Sequence, residues 1–211
     1  MRPDDVRRAL SERRAQSYDP RSLLLPDARD AAVLVALRFG ERGPTAYVVE
    51  RSSAMRDHAG ELGFFGGKVD EGETAEEAAL REAFEEAGLE RGEVELLGEL
   101  SPTPVITRKY LLHPFVAALG AEPRLASSEH VALYEVELWP WLEGAEVIPL
   151  APSLWRGLEL SVPHFTIAGR IMYGASAVIL FELLSRLAGE RLRTELVKER
   201  PWGKRYEAEE R

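Results

Sequence analysis

The chain has 211 residues, 36 acidic against 27 basic side chains, a formal net charge of −9 and no cysteine. A cysteine-free sequence excludes disulfides, thiol catalysis and thiolate metal sites. The negative charge argues against a general nucleic-acid partner, which would favour a basic surface, but it leaves a small nucleotide substrate open. No apolar run is long enough to cross a bilayer and the first residues lack a signal-peptide core, so we expect a cytoplasmic protein without a membrane partner.

Three regions are predicted along the chain. Residues 1–29 form a charged N-terminal extension, 30–189 a globular domain, and 190–211 a charged helix or tail. The domain opens with two apolar runs, "AAVLVALRF" (31–39) and "TAYVVE" (45–50), joined by a turn. Short apolar runs bounded by turn residues predict a β-hairpin.

After a loop rich in Gly, Arg and Ser, an acidic helix is predicted from about Thr74 to Ala87. Strand-like runs follow at 94–100, 110–119 and 130–138, and an amphipathic helix is expected over 174–189. The sequence "TAEE" at the start of the acidic helix has the form of a capping box, and Gly88 suits its end.

The acidic helix has two distinguishable faces. Leu80, Ala83, Phe84 and Ala87 recur with helical spacing and predict the buried face. The carboxylates of Glu82, Glu85 and Glu86 have the same spacing and share a neighbouring face. Three such carboxylates repel unless a cation lies among them, and oxygen ligands suit Mg²⁺ or Mn²⁺. The alternative is an ordinary solvated acidic face.

The loop before the helix adds to this picture. Gly66-Gly67 lets the backbone approach closely, so that a carbonyl there can join the carboxylates around a metal. Arg81 can pair with Glu73 and hold the loop against the helix, which is a structural role.

These residues carry a family resemblance. Gly67, five residues, Glu73, seven residues and then "REAFEEAGL" (81–89) resemble the Nudix hydrolase signature at every specified position. The resemblance implies an α/β/α sandwich around a mixed β-sheet and hydrolysis of a nucleoside diphosphate linked to another group. It also implies metal binding by Glu82, Glu85 and Glu86, with help from the Gly67 carbonyl.

Resemblance to the family implies that a carboxylate accepts a proton from the attacking water. Glu85 and Glu86 are catalytic candidates by position. The base varies between members and sometimes lies on a later loop, where Glu129 in "ASSEHVAL" is a candidate. An ordinary surface role for Glu129 is the alternative.

A narrower resemblance lies upstream. "RSSAMRDHAGELGFFGG" (51–67) is similar to the segment before the signature in coenzyme A pyrophosphatases, and "IMYGASAVILFELL" (171–184) to the start of their C-terminal helix. This resemblance implies substrate phosphate contacts from Arg51, Arg56 and His58, because arginine forms forked bonds to phosphate.

Some positions depart from the subfamily. Phe65 replaces a proline, so we expect its ring at the cleft, where it would narrow the entry or stack on a base. Tyr173 and Ser176 replace tryptophan and threonine. Pro104 lies where ADP-ribose pyrophosphatases resemble one another in carrying proline.

The leading hypothesis is therefore a metal-dependent pyrophosphatase that cleaves coenzyme A or its derivatives into 3′,5′-ADP and 4′-phosphopantetheine. An ADP-ribose or other nucleoside-diphosphate pyrophosphatase is the alternative enzyme. A nucleotide-binding module without catalysis is the alternative of another class, and the sequence leaves both a monomer and a homodimer open.

Overall fold

The computed structural model describes residues 1–11, 19–53, 60–155 and 158–202. The four α-helices of these ranges are α1 (Pro3–Ser11), α2 (Ala75–Ala87), α3 (Trp139–Leu142) and α4 (Gly174–Ala188). The strands are β1 (Arg29–Gly40), β2 (Gly43–Arg51), β3 (Leu62–Gly63), β4 (Phe65–Lys68), β5 (Val94–Glu99), β6 (Thr103–Pro104), β7 (Tyr110–Leu119), β8 (His130–Glu137), β9 (Val147–Trp155), β10 (Leu158–Pro163), β11 (Phe165–Ile167), β12 (Arg170–Met172) and β13 (Arg193–Leu196). Within these ranges, no helix has the length and apolar character needed to span a membrane.

A mixed sheet of eight strands forms the centre of the fold. Its order is β3-β2-β1-β7-β5, with β4 also pairing with β1, β6 with β7, and β8 with β2. The long strands β1 and β7 run parallel, and the other pairs within this sheet are antiparallel. The predicted hairpin of β1 and β2 is present, and its register joins Gly40 to Gly43.

Helices cover both faces of this sheet because β1 is apolar on both sides. On one face, α2 packs over a core that contains Ala32, Leu34, Tyr47, Phe65 and Ala83. On the other, α4 packs over a core that contains Val35, Val48, Leu180, Leu183 and Leu184. The α/β/α sandwich around a mixed sheet is therefore confirmed.

The N-terminal helix α1 packs against the same core as α4. Val6 and Leu10 of α1 are buried in the same core as α4. Gly98 of β5 makes room for this helix, since a Cβ there would lie 2.9 Å from Cβ of Leu10. Arg186 of α4 also donates to the carbonyl of Leu10 at 3.4 Å. These contacts tie α1 to the core, and the domain boundary at residue 30 stays a prediction.

The charged C-terminal segment was predicted as a helix or tail, but its described part contains a 3-10 turn and a β-strand. A short 3-10 turn at Gly189–Arg191 leads into β13, which pairs in parallel with β9. Backbone pairing with β9 stabilises an exposed, charged stretch that lacks the apolar face a packed helix would need. Residues 203–211 lie outside the described ranges.

Candidate active site

The Gly66-Gly67 pair brings β4 against the acidic helix α2. The backbone N–H of Gly66 donates to Oε2 of Glu86 at 2.9 Å. A Cβ on Gly67 would lie 2.1 Å from Oε1 of Glu82, so only glycine lets the backbone border this carboxylate. The two glycines therefore hold two of the three predicted metal ligands at the edge of β4.

Helix α2 begins as predicted. Thr74 is the N-cap, its hydroxyl accepts from the N–H of Glu77, and the Glu77 side chain bonds back to the N–H of Thr74, which completes the capping box. Gly88 adopts the left-handed conformation that ends the helix. The cap fixes where the helix begins and so which residues face the sheet.

The buried face of α2 keeps Ala83 and Ala87 of the prediction, with Leu80 partly buried and Phe84 outside it. Ala79, Ala83 and Ala87 are buried, whereas the ring of Phe84 is 51% exposed. Alanines let the helix lie close to the sheet, and the inward stripe then passes through Glu86, which is also buried. A carboxylate is thus part of the packed face, and Phe84 lies outside it.

Arg81 and Glu73 form the expected ion pair. Nε of Arg81 donates to Oε1 of Glu73 at 2.9 Å and Nη2 donates to Oε2 at 3.1 Å. Nη2 also donates to the carbonyl of Lys68 at 3.0 Å, which ties the loop to the helix. Nη1 of Arg81 also donates to two of the predicted metal ligands, to Oε1 of Glu82 at 2.9 Å and to Oε2 of Glu85 at 3.4 Å.

The three carboxylates sit at different depths. The Glu85 side chain is 54% exposed, that of Glu82 16% and that of Glu86 only 4%. Burial raises the pKa of Glu86 to about 8, despite the opposing hydrogen bond from Gly66. Burial also raises the pKa of Glu82, against the opposing bond from Arg81. Both carboxylates would be stabilised as anions by a nearby cation.

The donor set fits a divalent metal by its chemistry. Carboxylate oxygens are what Mg²⁺ and Mn²⁺ prefer, and two of the carboxylates border Gly66 and Gly67. In the parts of the chain that the structure describes, no three His, Asp or Glu side chains converge into a finished metal cluster. Nη1 of Arg81 holds one oxygen of Glu82 and one of Glu85 close to each other.

Glu129 lies near this acidic group. The preceding loop is tied to the end of α2, because the N–H groups of Arg124 and Ala126 donate to the carbonyls of Ala87 and Glu86 at 3.0 and 2.9 Å. The charge of Glu129 contributes to the raised pKa of both Glu82 and Glu86. The predicted base candidate is therefore within electrostatic reach of the metal-ligand candidates.

Arg51 supplies a positive charge opposite these carboxylates. Its Nη2 lies 3.7 Å from Oε2 of Glu129, and its charge acts on Glu86. The Nε atom is buried without a hydrogen-bond partner among the described residues. Arg56 and His58, the other predicted phosphate contacts, lie outside the described ranges.

The expectation for Phe65 is wrong. Its side chain is 0% exposed and belongs to the core under α2. Alternation along β4 turns the ring into the sandwich, since it follows directly after Phe64, which joins the other core. Phe65 therefore neither narrows a cleft nor stacks on a base.

His130 is the residue that the sequence reasoning missed. It pairs with Arg51 between β8 and β2, and its side chain is 0% exposed. Nε2 lies 3.7 Å from Oε1 of Glu86, and neither ring nitrogen has a hydrogen-bond partner in the described chain. Burial, followed by the charge of Arg51, lowers the pKa of His130 to about 4. In the sequence, only the position of His130 next to Glu129 pointed to a role in the site.

Taken together, the fold and site define an α/β/α protein with an acidic helix at a glycine-rich strand edge. A model of the NUDIX domain matches residues 28–160. The chain therefore belongs to the NUDIX domain family, whose members typically use divalent metals.

Individual relatives agree with this membership. The chain is 31% identical to the Nudix hydrolase NudL of Photorhabdus laumondii over 171 residues, which cover 80% of this chain and 90% of that protein. It is 41% identical to Nudix hydrolase 3 of Caenorhabditis elegans over 107 residues, which cover 50% of this chain and 45% of that protein. The chain thus spans less than half the length of the worm relative.

A solved structure supports the fold assignment. A NUDIX hydrolase from Listeria monocytogenes superimposes with a TM-score of 0.50 at 17% identity, covering 78% of this chain and 98% of that one. At this identity the likeness concerns the fold alone.

Proposed function

We propose that the protein hydrolyses the pyrophosphate bond of coenzyme A or its derivatives with Mg²⁺ or Mn²⁺, releasing 3′,5′-ADP and 4′-phosphopantetheine. The observation that carries this proposal is the position of Arg51 opposite the acidic helix, with a guanidinium Nε that has no hydrogen-bond partner among the described residues. Glu82 and Glu86 border the Gly66-Gly67 edge, and Arg51 acts on Glu86 from the neighbouring strand.

Each group has a role in such a reaction. Glu82, Glu85 and Glu86 would hold the metal, which when bound neutralises phosphate charge and lowers the pKa of the attacking water. Arg51 would bind a substrate phosphate through its guanidinium, whose Nε has no other partner among the described residues. Glu129, half exposed and beside Arg51, would accept the proton of the water.

The coenzyme A assignment is supported by two stretches of sequence that meet in space. The hydroxyl of Tyr173, just before α4, donates to Oε1 of Glu61 at 3.1 Å. A Cβ on Gly63 would lie 3.5 Å from Oγ of Ser176 in the first turn of α4. The segments that resemble coenzyme A pyrophosphatases therefore adjoin each other. The buried position of Phe65 also removes the main objection to a long pantetheine arm.

A substrate panel with Mn²⁺ tests the proposal. Coenzyme A, 3′-dephospho-coenzyme A and ADP-ribose are compared by kcat/KM, with products identified by mass spectrometry. We expect coenzyme A to be preferred, and Arg51→Ala to lower its kcat/KM by roughly ten- to a hundredfold, the value of a lost bond to a charged group. Arg56→Ala should shrink the preference for coenzyme A over the dephospho form.

The matched control is Arg38→Ala, an exposed arginine near the end of β1 that is paired with Glu135 of β8. It should leave kcat/KM unchanged. If ADP-ribose is hydrolysed faster than coenzyme A, the protein is instead an ADP-ribose or related pyrophosphatase. Binding of substrate without turnover would favour a nucleotide-binding module.

A further inference from the structure

His130 is a buried polar residue with no visible reason to be polar. Its side chain is completely buried, and both ring nitrogens lack a hydrogen-bond partner within the described residues. An unpaired buried polar group costs about 1–3 kcal/mol, and native proteins contain few of them. An apolar side chain would fill the position between β2 and α2 without this penalty, so packing alone does not explain a histidine.

The ring faces one particular atom. Nε2 of His130 lies 3.7 Å from Oε1 of Glu86. The other carboxylate oxygen, Oε2, already accepts the N–H of Gly66 at 2.9 Å. Glu86 is therefore bounded by a backbone donor on one oxygen and by an imidazole on the other. A movement of about 0.8 Å by either side chain would bring the second contact into hydrogen-bond range.

We propose that His130 is a positioning residue: its Nε2–H donates to Oε1 of Glu86 and, with the N–H of Gly66, fixes the orientation of that carboxylate toward the divalent cation. The inference rests on the proposed function, in which Glu86 is a metal ligand. A neutral imidazole carries one N–H, and the tautomer with that proton on Nε2 supplies the donor to Glu86. Hydrogen bonds to a ligating carboxylate hold it in place and typically change metal affinity by about 10–100-fold.

Metal binding to the whole protein is the first test. Mn²⁺ affinity is measured by calorimetry, and free Mn²⁺ by electron paramagnetic resonance, for the wild type, His130→Leu and His130→Gln. We expect His130→Leu to bind Mn²⁺ about 10–100-fold more weakly. His130→Gln keeps an N–H donor and should recover most of the affinity, which a purely space-filling role would not require.

A second buried histidine provides the matched control. His164 is 7% exposed and also has an unpartnered Nδ1, but it packs against Trp202, away from the acidic helix. His164→Leu should leave the Mn²⁺ affinity unchanged. The melting temperatures of the metal-free variants separate effects on stability from effects on the metal.

The ring itself gives a readout that needs neither metal nor turnover. Long-range ¹H–¹⁵N spectra of the chelator-treated wild type at pH 9, where Glu86 has lost its proton, should show His130 with its proton on Nε2 and that proton protected from exchange. Glu86→Ala should remove the protection. A ring whose Nε2 carries no proton would overturn the proposal, even if His130→Leu failed to fold.

The two proposals fail in different ways. Equal Mn²⁺ affinity of the wild type and folded His130→Leu would overturn the positioning role and leave the hydrolase proposal intact. A wild type that binds no Mn²⁺ and hydrolyses no substrate of the panel would overturn the proposed function, and the role of His130 with it.

Discussion

The guanidinium of Arg81 donates two hydrogen bonds to the carboxylate of Glu73, from Nε to Oε1 at 2.9 Å and from Nη2 to Oε2 at 3.1 Å. Hydrogen bonding to Glu73 is the largest cause of the strongly raised pKa of Arg81, and it lowers the pKa of Glu73 in turn. The forked geometry uses the planar shape of arginine, which lysine cannot reproduce. The pair joins the loop after β4 to the middle of α2.

We expect Arg81→Ala to loosen the 68–73 loop and to lower kcat strongly. The variant loses the bonds to Glu73 and Lys68, and it leaves Glu82 without its cationic neighbour. Hydrogen exchange of the amides of residues 68–73 measures the loss of order. Arg81→Lys should behave like Arg81→Ala in exchange, because charge alone does not restore the fork. Unchanged protection in both variants would contradict the tethering role.

Replacement of Glu86 by glutamine should separate catalysis from stability. The pKa of Glu86 is raised from 4.5 to about 8, so the native state retains a proton that the unfolded state has lost between those values. The free energy of unfolding of the metal-free wild type should therefore fall as pH rises through this window. Glutamine has no proton to lose, and Glu86→Gln should unfold at a higher temperature than the wild type at pH 9, with chelator present.

The difference should be small at pH 5, where the wild-type carboxyl is protonated. Each kcal/mol shifts Tm by about 2–4 °C in a domain of this size, so thermal scans resolve the effect. Turnover with Mn²⁺ should fall by orders of magnitude in the same variant. A difference in Tm between Glu86→Gln and the wild type that is larger at pH 5 than at pH 9 would contradict this prediction.

The two neighbouring glycines should respond differently to alanine. A Cβ on Gly66, at φ +154°, would lie 2.2 Å from the backbone oxygen of Ala32, so Gly66→Ala opposes the pairing of β4 with β1. A Cβ on Gly67 meets only the flexible end of Glu82. We therefore expect Gly66→Ala to lower Tm by several degrees or to prevent folding, since strained backbone alone costs about 1–3 kcal/mol.

Gly67→Ala, in contrast, should fold and displace the Glu82 carboxylate. Its Tm should stay near that of the wild type while Mn²⁺ affinity and kcat fall. Thermal scans and calorimetry of both variants check this contrast. Equal losses of Tm would mean that the carboxylate cannot move aside.

Acid stability should depend on Asp30 at the start of β1. Nη2 of Arg21 donates to both of its oxygens at 2.6 and 2.8 Å, and Nε2 of His113 lies 2.7 Å from Oδ1. Burial opposes ionisation, but the bonds to Arg21 and His113 outweigh it and lower the pKa of Asp30. The stabilisation is therefore present above the ordinary pKa of 3.8 and is lost as pH falls through the lowered value.

Asp30→Asn should thus lower the free energy of unfolding at pH 7 and change it little at pH 2–3. Urea titrations at both pH values measure the difference. Glu122→Gln is the control, because Glu122 is 71% exposed and its contact with Arg38 is long, at 3.5 Å. It should change the free energy of unfolding at neither pH.

Local patterns were sufficient to predict the hairpin and the cap of α2, whereas the sandwich was implied by the resemblance to the Nudix signature. The signals for the hairpin and the cap are short-range: continuous apolar runs for β1 and β2, and Thr74 with Glu77 for the helix start. The pair of Arg81 and Glu73 could also be anticipated, because it joins residues of one loop-helix unit.

Long-range packing explains what the sequence did not reveal. Phe84 and Phe65 exchange the exposed and buried roles expected of them, because the depth of a side chain depends on how α2 and β4 dock on β1. His130 reaches Glu86 only through the pairing of β8 with β2, a contact between residues far apart in the chain. The pairing of β13 with β9 is equally invisible to local periodicity.

The position of α1 has a consequence for how the protein is made. This helix leaves the ribosome before the strand and the helix that cover its apolar side, β5 and α4, have been translated. Val6 and Leu10 are then without β5 until residues 94–99 have been made, and without α4 until residues 174–188 have been made. The order of synthesis thus leaves the apolar side of α1 partly uncovered until the last helix has been translated.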